Sequence, residues 1–305
     1  MDDLNQRLSV VASALSTDAR EAAHAARTLG FAGIQFDATS AALDLTTLSG
    51  TGRREFRHVL SSFNLQLIGL RFDLGAKGFG PGANVERVLE QLERTMETAA
   101  GLAAPLVCVD LGPLPPAPPG PPKPVPKVTQ DMAGLIILPN RPAEGEAPPA
   151  PQELSAADRA LASHVDAALA EVCARADRYS VIIAVRSELA GFAALDAVIR
   201  RASCPWMGIE LDPVSALRDP WPLDEILSRL APLVRHVRVR DASVGDAHRT
   251  RPALVGQGSV NWGELLASLD AAGYRGWLTV DPMELPDRAA AAATARKTLL
   301  AVVQQ

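Results

Sequence analysis

The 305-residue chain has little histidine (five residues) and little cysteine (three). Cys108, Cys173 and Cys204 are odd in number and far apart, and they form neither a CxxC pair nor the Cys/His spacing of a structural zinc site. A disulfide framework is not expected, and this usage fits a reducing cytoplasm. Basic charge is also scarce: 30 Lys and Arg stand against 35 Asp and Glu, a formal net charge of −5. A broad nucleic-acid surface needs clustered Lys and Arg, so none is expected. No apolar run approaches the ~20 residues that cross a bilayer. The opening MDDLNQRLSVV has two early acids and no long apolar stretch, so no membrane span and no secretory leader is expected. What the chain does have is a hydrophobic fraction of 48%, enough for a sizeable core and too much for a wholly disordered chain.

Short apolar or β-branched runs alternate with longer helical stretches. Strands are expected at 8–14, 33–37, 65–73, 105–111, 181–185, 207–211, 234–240 and 277–281. Helices are expected near 18–29, 52–63, 84–102, 154–178, 191–202, 222–231, 261–273 and 286–303. Strands separated by helices, with no hairpin turn between them, imply parallel pairing through right-handed crossovers. Eight such units predict a single closed (β/α)8 TIM barrel, a fold of about 250 residues. A doubly wound open sheet would normally place a glycine-rich turn after the first strand, and ALSTDAR has none.

One stretch breaks the rhythm. Residues 112–152 hold 14 of the 24 prolines, and proline's fixed φ and missing donor exclude helix and central strand there. Its ends favour polyproline II. Met132 to Leu138 (MAGLIIL) is an apolar run able to dock on the barrel. Placed after the fourth strand, the insertion emerges at the C-terminal face, where barrel sites are built. Two readings stand: a disordered insertion, or a lid or contact for a partner or second copy. Without it 264 residues remain, close to the usual barrel length.

Several segments resemble the xylose isomerase-like TIM-barrel family, the sugar-phosphate isomerase/epimerase superfamily. They are Gly208-Ile209-Glu210-Leu211-Asp212-Pro213-Val214-Ser215, Arg235-His236-Val237-Arg238-Val239-Arg240-Asp241, and Gly256-Gln257-Gly258-Ser259-Val260-Asn261-Trp262. Gly273-Tyr274-Arg275-Gly276 before the closing strand, and Leu29-Gly30-Phe31-Ala32-Gly33-Ile34-Gln35 near the start, fit the same pattern. The resemblance implies a barrel enzyme that holds one divalent metal with Glu, Asp, His and Glu on strands five to eight, while two carboxylates move a proton between adjacent sugar carbons. Carried over by position, the first Glu falls on Arg186, or after a two-residue slip on Glu188. The Asp is Asp212, the His of its Asp-x-x-His pattern is Ser215, the metal-binding His is Arg238, and the last Glu is Asp281. Arginine stays protonated and has no lone pair to offer a metal. The superfamily's endonuclease branch needs several zinc ions and many more histidines. No metal is therefore expected, although the family typically uses one.

Strand alternation places Gln35, Asp37, Arg71, Asp73, Cys108, Asp110, Arg186, Glu188, Glu210, Asp212, His236, Arg238, Arg240, Thr279 and Asp281 on the inner, upper side of the barrel. A one-residue slip would turn any of these sets outward. Charges at this density must pair. One reading is a salt-bridge lattice in place of the metal. The other is a small-molecule pocket in which Arg71, Arg186, Asp212, Arg238 and Arg240 hold a hydroxylated or anionic metabolite. There Glu188 or Asp281 would act as base if burial raises its pKa. A non-catalytic binder and a metal enzyme using Glu188, Asp212, Asp281 and His248 are the alternatives. Cys108 is expected to be a small buried hydrophobe and His236 a satisfied barrel residue.

Overall fold

The computed structural model describes residues 4–117, 154–245 and 249–303. The apolar runs become the staves of a closed parallel barrel. They are β1 (Leu8–Val11), β2 (Gly33–Asp37), β3 (Gln66–Asp73), β4 (Leu106–Asp110), β5 (Ile182–Arg186), β6 (Met207–Leu211) and β7 (Val234–Val239). A two-stranded antiparallel hairpin of β8 (Asp241–Val244) and β9 (Thr250–Ala253) follows, and β10 (Leu278–Val280) closes the ring between β7 and β1. The sequence reading has no such hairpin. Its two strands are short and largely exposed, and Pro252 sits in β9, so neither shows the buried alternation of a stave.

The staves are joined by α1 (Ala19–Thr28), α2 (Gly50–Ser62), α3 (Val85–Leu102), α4 (Ala156–Tyr179), α5 (Phe192–Ala202), the single turn α6 (Pro213–Ala216), α7 (Leu223–Leu230), α8 (Trp262–Ala271) and α9 (Arg288–Val303). Helix starts are set by side-chain caps. Asp18, Ser49, Asn84, Ser155 and Asn261 each accept a backbone N–H three residues on. The first strand is shorter than expected: it stops at Val11 and the chain turns through a 3-10 segment at Ala12–Ala14. Of the proline-rich stretch 112–152, residues 118–152 lie outside the described residues, as does His248. The chain between β4 and α4 leaves from the C-terminal end of β4.

The main apolar core lies between staves and helices, built from such residues as Val10, Ile34, Leu70, Val107, Ile183, Ile209 and Val237. Inside the ring the lining is different. Leu106, Cys108 and Ala184 form a small separate apolar cluster, and Ser9, Gln35, Glu210, His236 and Thr279 are buried polar groups. The rim is tied down by Asp241. Its carboxylate accepts N–H groups from Ala242, Gly256, Gly258 and Val260, and the indole N–H of Trp262. The Gly256–Trp262 motif is thus a loop wrapped around a buried carboxylate. A Cβ on Gly258 would fall on that carboxylate, and Gly256 has φ +83°.

Candidate functional site at the barrel mouth

Register brings opposite charges side by side at the C-terminal ends of the staves. Asp37 is level with Arg71 and Asp110 with Arg186, while Asp73 is level with a like charge, Asp110. Every stave except β1 contributes, at its end or just beyond. The inward parity expected from alternation is the one observed.

The four arginines bridge neighbouring carboxylates. Arg71 donates from Nε to Asp37 at 2.8 Å and from Nη1 to Asp281 at 2.9 Å. Arg186 donates from Nε to Glu210 at 2.7 Å and from Nη1 to Asp110 at 2.8 Å and Glu188 at 2.7 Å. Arg238 holds Asp281 through Nε and Nη2, both at 2.8 Å, and Glu188 through Nη1 at 3.1 Å. Arg240 donates from Nε to Asp212 at 2.7 Å, from Nη1 to Glu284 at 2.8 Å and from Nη2 to Glu188 at 3.3 Å. Glu284 was not singled out from the sequence. It lies three residues beyond Asp281 in the loop after the last stave, where strand periodicity carries no signal.

Below this layer a hydrogen-bonded chain runs down the barrel. Glu210 Oε1 meets His236 Nδ1 at 2.8 Å, His236 Nε2 meets Thr279 Oγ1 at 2.6 Å, and Thr279 Oγ1 meets Ser9 Oγ at 2.7 Å. Burial would raise the Glu210 carboxyl, but the His236 hydrogen bond and the Arg186 charge outweigh it and hold it well below the usual carboxylate range. Cys108 Sγ lies 3.5 Å from His236 Nδ1 and accepts from Gln35 Nε2 at 3.1 Å. Burial and the Glu210 charge push its thiol up. Because Nδ1 already faces Glu210, His236 is not placed as a base for Cys108, and a cysteine nucleophile is disfavoured.

A cavity of about 590 Å³ opens above this floor. Of the predicted site residues Arg71, Arg186, Glu188 and Arg238 line it, whereas Asp212, Arg240 and Asp281 sit behind the lining. Asp281 has a side chain only 2% exposed. Its Oδ1 accepts from Met283 N and its Oδ2 from two arginines, leaving no free oxygen. The condition set for a carboxylate base is not met. Burial acts to raise Glu188 and Asp281, yet the surrounding arginines win and both are lowered.

Two atoms of the Arg186–Glu188 pair escape the lattice. All three arginines that hold Glu188 use Oε1, so Oε2 has no partner among the described residues. Arg186 Nη2 likewise makes no bond among them. One donor and one acceptor are therefore left on this pair, and Asp37 and Asp73 each keep an Oδ2 with no partner among the described residues.

Eight staves closed in parallel with a polar pocket at their C-terminal ends define a (β/α)8 barrel of binding or enzymatic type. Residues 23–301 match the xylose isomerase-like TIM barrel, and the chain belongs to that family. No curated protein matches it in sequence. Among solved structures, a xylose isomerase domain protein from Planctomyces limnophilus is similar at TM-score 0.71 and 16% identity, over 97% of this chain and 95% of that one. An L-ribulose 3-epimerase is similar at 0.69 and 17%, over 98% and 94%. A 3-keto-D-glucoside 4-epimerase from E. coli is similar at 0.64 and 17%, over 98% and 99%. At these identities the likeness is one of fold.

The family is typically metal-dependent, and the donors at the mouth fit a divalent ion poorly. Positions 186 and 238 carry guanidinium groups, and the oxygens of Asp212 and Asp281 accept hydrogen bonds from arginines and backbone N–H groups. Deeper down, Cys108, Glu210 and His236 bring three ligand atoms within 4.8 Å of one another. There the facing atoms already bond each other, and Arg186 Nε stands 2.7 Å from Glu210, so a cation would meet a guanidinium. No helix among the described residues is long and apolar enough to cross a membrane.

Proposed function

We propose that the barrel mouth binds a small hydroxyl-rich metabolite without a divalent metal, and that the protein is a sugar isomerase/epimerase-like barrel whose metal centre is replaced by an arginine–carboxylate lattice. The observation that carries this reading is the placement of the Arg186 and Arg238 guanidiniums among the carboxylates where metal ligands are expected. The lattice does what an ion would do for the staves: it neutralises buried carboxylates and ties their ends together.

Arg186 Nη2 and Glu188 Oε2 are the free donor and acceptor, a pair suited to a hydroxyl group or a vicinal diol. Arg71 and Arg238 wall the cavity, while Asp212, Arg240 and Asp281 hold that wall in place. Binding is favoured over proton transfer, since Glu188 and Asp281 are held ionised with lowered pKa. If chemistry occurs, Glu188 is its base, because its Oε2 alone among the two carboxylates is free to reach a substrate.

The test is calorimetric titration of the purified protein with neutral ketoses, L-ribulose among them, in chelator and again with manganese. Equal affinity in both conditions, lost in Glu188→Gln, supports the reading. Binding or turnover that requires manganese overturns it, as does a stoichiometric divalent ion removable by chelator.

A further inference from the structure

Resting on that reading of the mouth, the charge of the cavity selects among hydroxylated ligands. Asp37, Asp73, Asp110, Glu188 and Glu210 all line it, against three arginines, an excess of two negative charges in the lining itself. The arginines do not offset this for a ligand, since their donors already point at carboxylates, apart from Arg186 Nη2. The carboxylates keep spare acceptors. Both Arg71 contacts to Asp37 use Oδ1, and Asp73 uses only Oδ1, on Gly75 N. With Glu188 Oε2, three anionic oxygens in one cavity lack a partner among the described residues. Phe72, Leu189 and Met283 supply the apolar part of the wall, and Leu189 is 69% exposed.

An incoming phosphate or carboxylate would meet one available guanidinium prong and three unpaired anionic oxygens. A protonated amine would meet the reverse: acceptors of the right charge on two sides of the pocket, with the donor prong left for a hydroxyl. We propose that the preferred ligand is a hydroxylated amine, of the amino sugar or aminated cyclitol class, rather than a sugar phosphate or sugar acid.

The experiment is a titration series on the intact chain with glucosamine, glucose, glucose 6-phosphate and gluconate, at low and high salt, below the amine's pKa. The expected order puts glucosamine about fivefold or more ahead of glucose at low salt, the size of one partly screened charge interaction, with both anions weakest. That advantage should shrink with salt and in Asp73→Asn, which removes a cavity charge outside the arginine lattice. An anion that binds as tightly as glucose, or an amine advantage insensitive to both salt and Asp73→Asn, overturns the inference and leaves the hydroxyl-binding reading standing. Failure of all four to bind instead counts against the binding reading itself.

Discussion

Arg238→Met is the sharpest perturbation of the lattice. The change keeps most of the side chain's length and apolar bulk and removes its charge and donors. In the native mouth Arg238 is 13% exposed, and it bonds Asp281, which is 2% exposed, through two nitrogens and approaches Asp212, 1% exposed, at 3.7 Å. Burial opposes its charge, yet the carboxylates, Asp281 first, push its pKa up. Removing one partner of a buried pair costs about 3–5 kcal/mol when the other charge is left uncompensated. Here Asp281 keeps Arg71 and Asp212 keeps Arg240, so the low end applies, about 3 kcal/mol, or about 5 °C in Tm for a chain of this size.

The pH dependence has a definite sign. Asp281 has a folded pKa below its ordinary 3.8, so its contribution is present above that value and lost only as pH falls below it. In the variant the larger of the two opposing charges is gone, only Arg71 remains, and burial drives the carboxyl upward. The variant then takes up its proton at a higher pH than wild type, and the gap between them narrows as pH falls from 7 toward 4. Urea unfolding followed by tryptophan fluorescence at both ends of that range measures it. A loss under about 1 kcal/mol at pH 7, or one that does not shrink in acid, would refute the lattice as a stabilising device.

Two further outcomes are expected. Asp241→Asn replaces an acceptor shared by five N–H donors with an amide that also presents two donors. Urea unfolding should show a loss of about 2–4 kcal/mol, and an unchanged midpoint would contradict the hub role. The Cys173 thiol is pushed up to about 12, by burial first and then by its Cys204 partner. Alkylation of Cys173 by iodoacetamide at pH 8, followed by peptide mass spectrometry, should be at least about a hundredfold slower in the native protein than in urea. Equal rates would show that the thiol is not held as the structure places it.

Much of this architecture is readable from periodicity. Alternating apolar runs and amphipathic stretches announce eight strand–helix units, because a parallel stave buried on both faces must be apolar and its crossover must be helical. Alternation also assigns the correct parity to Arg71, Arg186, Glu210, His236 and Arg238, since side chains on a strand repeat every two residues. The β8–β9 hairpin escapes notice because only Asp241 and Ala242 of its residues are buried and the pair carries no alternating period. The Cys173–Cys204 contact joins α4 to the turn after α5, and separation along the chain says nothing about such a pair. Glu284 and the Asp241 hub act from loops, where a residue's role depends on where the chain folds back.

By itself, then, the sequence determined the barrel, the family pattern and the crowd of opposite charges at its mouth, all of which follow from local repeats and residue type. Only the tertiary structure decided which charge meets which. The sequence left the arginines open as a salt-bridge lattice or as hands for a ligand, and most of their donors hold carboxylates of the mouth. A carboxylate base required burial to raise its pKa, and the guanidiniums beside Glu188 and Asp281 lower both. Pairing and pKa are set by distances between atoms far apart in the chain, which no local pattern contains.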